Sequence, residues 1–211
     1  SSNRGNYLSE RKVEDGLSEL HRAVELVPEF AVAYANLGRA FKIQGHLEVA
    51  EKYTRKAIEF DPQLAFSYSN LAVILKARGM LKEAERCARK AIELDPAFFQ
   101  AHANLGLILS QTGRYEEAVL AYRKAIQLDP TELSAPGDVV VLFLRLNRPK
   151  EAIEAYEAAM AYGISSYKSS IFYYGIALGQ LGNRKQAIDV FQKVEERAKR
   201  WLEGQRELAA K

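Results

Sequence analysis

The chain has 211 residues, 48% of them apolar, and its 30 Lys and Arg nearly balance its 27 Asp and Glu, leaving a net charge of +3. So small an excess argues against nucleic acid or an anionic membrane as the main partner by charge alone. The single cysteine, Cys87, excludes an internal disulfide and a cysteine cluster for metal, so a reduced, cytoplasmic setting is expected.

No run of about 18 apolar residues and no charged-then-apolar leader occurs, so neither a membrane span nor a signal peptide is expected. Asp-Pro recurs at Asp61-Pro62, Asp95-Pro96 and Asp129-Pro130, every 34 residues, each time with an Ala five residues before the Pro (Ala57, Ala91, Ala125). A fixed period of this length marks a solenoid, in which each repeat buries its apolar face against its neighbours and the array presents a long recognition surface. Numbered so that the Pro is position 32, residues 1–30 form an incomplete first repeat. Gly16, Leu20, Ala23 and Pro28 supply its second helix, and Tyr7 falls on a partner helix whose start is missing or partial.

Residues 31–64 place Tyr34, Leu37, Gly38 and Phe41 on one helical face and Ala50, Thr54 and Ala57 on a second, with Gly45 as the turn between them. Residues 65–98 repeat this with Tyr68, Leu71, Ala72, Leu75, Gly79, Ala84, Ala88 and Ala91. Residues 99–132 do so with His102, Leu105, Gly106, Leu109, Gly113, Ala118, Tyr122 and Ala125. Gly38 and Gly106 read as close-packing positions, because Gly inside a helix costs roughly 0.5–1 kcal/mol against Ala and something must offset it. Residues 133–167 are a degenerate repeat, with Pro136, Val139, Val140 and Phe143 in its first helix and Asn147 in place of the turn Gly. Residues 168–198 are another, with Tyr174, Gly175, Leu178, Gly182, Ala187 and Phe191. Residues 199–211, around Trp201, Leu202 and Leu208, read as a capping helix over the last apolar face.

These residues resemble the tetratricopeptide repeat pattern: an aromatic at 4, Leu-Gly at 7 and 8, an aromatic at 11, Gly at 15, Ala at 20, an aromatic at 24, Ala at 27 and Pro at 32. The resemblance implies an all-α fold, an α-α superhelix or solenoid of helix-turn-helix repeats with a C-terminal capping helix. It implies a concave groove, lined mainly by the first (A) helices, that binds peptides or partner helices, and hence an adaptor or scaffold for protein–protein interaction. Two alternatives stay open: a partner-recruiting segment of a larger enzyme such as a glycosyltransferase, and a scaffold that self-associates through the array ends.

Position 6 lies about 200° around the helix from position 4, pointing away from the paired helix and into the groove. It is held by Asn36, Asn70, Asn104 and then Asp138. A row of carboxamides suits a peptide backbone, each offering a donor and an acceptor; such a ladder could equally bond to a neighbouring repeat. Peptide-binding members of the family, including O-linked N-acetylglucosamine transferases and kinesin light chains, are similar in carrying one. Arg39, Lys42, Phe66, Val73, Lys76 and Leu107 are expected beside it, basic at the N-terminal end and more apolar beyond, complementary to a segment with acidic and apolar residues. Lys42 and Lys76 also stand at helix C-terminal ends, where the helix dipole favours cations. A second basic ladder, Arg55-Lys56, Arg89-Lys90 and Arg123-Lys124, reads as a solvated face with acidic partners at Glu59 and Glu93.

No chemistry is spelled out. His21, His46 and His102 lack metal-ligand or base-and-nucleophile spacing, and His102 reads as a hydrogen-bonded core histidine. Arg86, Arg89 and Lys90 near Cys87 could lower its pKa, yet no His or Asp is arranged around it, so it reads as a surface or packing thiol. The expectation is a protein without catalytic activity, cofactor or metal.

Overall fold

The computed structural model describes residues 16–129, 135–161 and 170–209, and all regular structure among them is helical. Tyr7, Pro130 and the start of the expected first repeat lie outside the described residues. The chain divides into two compact units, one ending at Ile108 and one beginning at Leu109.

The first unit contains α1 (helical through 16–26), α2 (Ala31–Ile43), α3 (Leu47–Phe60), α4 (Ala65–Ala77), α5 (Leu81–Leu94) and most of α6 (Phe99–Gln111). Here α2 packs on α3, α3 on α4, α4 on α5, and α2 on α4. The second unit holds α7 (Tyr115–Leu128), α8 (Ala135–Arg145), α9 (Pro149–Ala161), α10 (Ser170–Gln180) and α11 (Arg184–Ala209). In it α8 contacts α7, α9 and α10, while α10 contacts α9 and α11. The second helix of the last repeat continues into the tail: α11 runs unbroken past Trp201, Leu202 and Leu208.

Each pair of helices is turned by the same backbone device. Gly45, Gly79, Gly113 and Gly182 have φ between 78° and 83°, and Asn147 takes their place with φ 55°. The following amide reaches back around the turn in all five cases: His46 to the Phe41 carbonyl at 2.9 Å, Met80 to Leu75 at 2.9 Å, Arg114 to Leu109 at 3.0 Å, Arg148 to Phe143 at 2.8 Å and Asn183 to Leu178 at 2.9 Å. These bonds satisfy carbonyls that a helix end leaves without partners, and they require a residue that accepts left-handed geometry. Asn is the non-glycine residue best suited to it, so the fourth repeat keeps its turn.

The Asp-Pro steps end the second (B) helices. Proline pushes the preceding residue out of the helical region, and Asp61 and Asp95 are extended, each with its amide still bonded to the alanine four residues back. Asp61 Oδ1 then accepts from the Gln63 amide at 2.9 Å and Asp95 Oδ1 from Ala97 at 3.0 Å, which shapes the link to the next repeat.

The alanines of the B-helix stripe (Ala50, Ala57, Ala84, Ala91, Ala118, Ala125, Ala152) are wholly buried, as are Leu37, Leu75 and Ile74 of the A helices. Small side chains at these positions let paired helices approach. At Gly38 the approach is closest: a Cβ there would stand 2.0 Å from Thr54 Oγ1 and 3.0 Å from the Ala50 carbonyl oxygen. Gly175 does the same in the second unit, against Phe191 and Val190. No described helix is long and apolar enough to cross a membrane.

Candidate functional site

Of the ten residues expected to line a groove, nine belong to the first unit and Asp138 belongs to the second. α2, α4 and α6 carry Asn36, Asn70 and Asn104 one repeat apart, and two of the three amides are turned to the preceding repeat. Asn104 Nδ2 donates to Ser69 Oγ at 2.9 Å, and Asn70 Nδ2 points at the Ala35 carbonyl at 3.4 Å, a weak bond. Asn36 Nδ2 instead donates to the Val32 carbonyl of its own helix at 3.0 Å. Asp138 accepts from the buried Tyr122 hydroxyl at 2.9 Å, and burial first, then the Asp138 charge, pushes the Tyr122 phenol up. At Asn70 and Asn104 the ladder therefore has a joining role between repeats.

The cations behave differently. Arg39 is exposed while Lys42 and Lys76 are half-buried. No carboxylate among the described residues forms an ion pair with any of them. Burial, then the nearby charges of Arg39 and Lys76, push the Lys42 ammonium below the ordinary lysine value of 10.5. Lys42 and Lys76 lie in the last turns of α2 and α4, but Arg39 sits earlier in its helix, beyond the reach of a dipole that fades within one turn. Arg39 and Asn36 also border a cavity of about 330 Å³ whose remaining wall includes Leu17 and Leu20 of α1 and Ala40 and Ile43 of α2. Ile43 is 70% exposed there.

The apolar candidates divide. Val73 and Leu107 are half-buried. Phe66 packs against the core cluster of Tyr34, Ala35 and Ala57, so part of its ring holds the fold together.

The B-helix ladder is a set of ties, with partners different from those expected. Arg55 bonds Glu51 at 2.7 Å within α3 and Glu83 of the next repeat at 2.7 Å. Arg78, at the end of α4, reaches back to the same Glu51, which is only 9% exposed. Arg148 bridges Glu116 at 3.1 Å and its neighbour Glu151. Lys56 lies over the Tyr34 ring at 5.0 Å and Arg123 over Phe143 at 5.3 Å. Only Lys90 takes the expected partner, Glu93, at 2.7 Å. These inter-repeat pairs escaped the sequence reading because their partners lie 27 to 32 residues away.

His102 is buried and its Nε2 lies 3.0 Å from the Pro96 carbonyl, which can only accept, so the imidazole donates. His21 donates from Nδ1 to the Leu17 carbonyl at 2.8 Å and packs edge-on against Phe41 and Tyr53. Cys87 is half-buried, and its basic neighbours do not set its pKa: burial, followed by Glu83, pushes the thiol up to about 11, outweighing the arginines nearby. It is a protonated packing thiol at neutral pH. Among the described residues no three His, Cys, Asp or Glu converge as a metal site.

The tetratricopeptide repeat profile matches at residues 31–64, 65–98 and 99–132, and a further profile of the same repeat matches 140–200. A comparison with curated proteins returns no match. Among solved structures the chain is similar to PilF of Pseudomonas aeruginosa, with 22% identity, a TM-score of 0.78, and coverage of 98% of this chain and 93% of that one. It is similar to a MamA protein at 21% identity and TM-score 0.71, covering 84% and 96%. YrrB, described as a TPR protein with an unusual peptide-binding site, matches at 20% identity and TM-score 0.68, covering 84% and 91%. At such identities the likeness is one of fold.

Proposed function

Because this chain belongs to the tetratricopeptide repeat family, whose repeats form protein-interaction modules and are generally non-catalytic, we propose that it binds a linear segment of a partner protein on the A-helix face of its first unit. The observation that carries this reading is the group Arg39, Lys42 and Lys76, which meets no carboxylate among the described residues, beside Asn36 and an apolar cavity wall. Stability is poorly served by cations that repel one another without a counterion, so their placement favours a ligand that supplies the negative charge. Leu17, Leu20 and Ile43 offer apolar contact, while the Asn36 and Asn70 carboxamide oxygens can accept from a peptide backbone. A few neutral hydrogen bonds at roughly 0.5–1.5 kcal/mol each barely offset the ordering of a peptide, so charge and apolar anchoring must provide specificity. Adaptor or scaffold action follows from such binding.

Peptide display against the chain, counter-selected with an Asn36→Ala, Arg39→Gln double variant, tests the reading. Asn36 bonds only its own helix, so its loss should leave the fold intact, unlike that of Asn104. Peptides rich in acidic and apolar residues should be retained by the parent chain alone. Equal retention by both proteins would place the binding face elsewhere.

Self-association has one observation in its favour. Leu26, Val27, Phe30 and Val32, around the first inter-repeat link, are 72%, 53%, 45% and 41% exposed, apolar side chains that a second copy could cover. Light scattering over a concentration series should show a rise in mass that Leu26→Lys, Phe30→Lys abolishes; a constant monomer mass removes this reading.

A further inference from the structure

We infer that the Arg39, Lys42 and Lys76 face takes the phosphate group of a phosphorylated peptide segment, with an apolar side chain of that segment in the adjoining cavity. This deepens the peptide-binding reading and rests on it.

Arg39 and Lys42 are three residues apart on one face of α2, and Lys76 is the equivalent of Lys42 one repeat on, in α4, which packs on α2. Three positive groups thus converge where two neighbouring A helices meet. The same chain pairs its other crowded cations with care: Arg55 with Glu51 and Glu83, Arg78 with Glu51, Arg148 with Glu116 and Glu151. Arg39, Lys42 and Lys76 meet no such carboxylate among the described residues, although they crowd one another.

A single peptide carboxylate brings one charge and two acceptor oxygens. A phosphomonoester brings about −1.5 to −2 at neutral pH and three strong acceptors, which matches one guanidinium and two ammonium groups. The half-buried Lys42, destabilised as an ammonium by burial and by its two neighbours, gains most from a dianion held between them. The third repeat shows where the site stops, since Leu107 and Ser110 replace Arg39 and Lys42 there.

Geometry favours a peptide over a phosphorylated lipid surface. Arg39 lies on the rim of a cavity of about 330 Å³ lined by Leu17, Leu20, Ala40 and Ile43, a shape that receives one side chain next to the phosphate. A net charge of +3 over the whole chain gives little general attraction to an anionic membrane or nucleic acid.

The test uses three degenerate peptide pools with a fixed central residue: phosphoserine, serine or glutamate. Each pool is passed over the chain, and retained peptides are titrated by fluorescence anisotropy. The phosphoserine pool should be enriched, with an apolar residue near the phosphate. Affinity should fall at least ~10-fold in Arg39→Gln and in Lys76→Gln while thermal melting is no lower than that of the parent chain. Excess inorganic phosphate should compete. Retention of the serine or glutamate pool to the same extent overturns the phosphate inference and leaves the peptide reading standing. No retention of any pool overturns both. Binding of phosphatidylinositol-phosphate vesicles with none of the peptides would assign the face to a membrane and overturn the proposal.

Discussion

The two faces of the first unit use basic residues in opposite ways. On the B-helix face, Arg55 and Arg78 converge on a nearly buried Glu51 and continue to Glu83, tying the repeat at 31–64 to the next. On the A-helix face, Arg39, Lys42 and Lys76 meet no carboxylate among the described residues and oppose one another. Residue type alone therefore does not separate structural from functional charge; the presence of a counterion does. One face holds repeats in register; on the other, the proposed ligand would supply the negative charge that no described carboxylate does.

This contrast predicts opposite signs for mutations. The largest effect is expected at Glu51: Glu51→Gln leaves two arginines facing a neutral amide and should destabilise by about 1–3 kcal/mol, measured by chemical denaturation, without altering peptide affinity. Burial alone would raise the Glu51 pKa, but hydrogen bonds from Arg55 and Arg78 win and hold it below the ordinary 4.5. A depressed folded-state value means stability that is complete above the unfolded pKa and disappears as pH falls through the folded one. The gap between the parent chain and Glu51→Gln should accordingly shrink below about pH 4.5. A gap independent of pH would remove the ionic account of this junction.

Asn104→Ala comes next, at about 0.5–1.5 kcal/mol, because it strands the part-buried Ser69 hydroxyl it bonds. Asn36→Ala should cost less, its amide bonding only an exposed carbonyl of its own helix. Similar losses at both positions would contradict the division of the ladder into a joining residue and an outward-facing one.

Lys42→Gln should stabilise by a few tenths of a kcal/mol at neutral pH, because it removes like-charge repulsion. Its sign is the sharper test. A lysine whose folded-state pKa is depressed makes stability rise with pH up to the unfolded value of 10.5, so the advantage of Lys42→Gln should fade there. Destabilisation instead would mean that Lys42 belongs with the structural cations. The smallest effect is reserved for Arg89→Gln, a surface pair with Glu85 within α5, at about 0.2–0.5 kcal/mol.

Much of the fold was legible because a repeat announces its requirements by position. Gly at 15 signalled the turn between paired helices, and Asn147 was read as its substitute; both turns occur, and all five residues are left-handed. Gly38 was read as a close approach, which Thr54 makes. The site was legible only as a list. The Asn ladder could be placed on one face of its helices, but nothing local tells whether an amide will turn to a groove or to Ser69, 35 residues earlier. The basic pairs of the B helices were assigned acidic partners within their own helix at Glu59 and Glu93, whereas Arg55 bonds Glu51 and Glu83. Cys87 was read beside basic neighbours, yet its burial dominates.

From the sequence alone came the period, the two-helix unit, the turns and the alanine stripe, since each depends on backbone geometry and side-chain volume within about one turn of helix. Which charges are neutralised, which amides are spent between repeats and where a cavity opens were decided only when helices separated by a whole repeat came into contact. Hydrogen bonds and ion pairs act over a few ångströms of space, and at that range distance along the chain carries no weight.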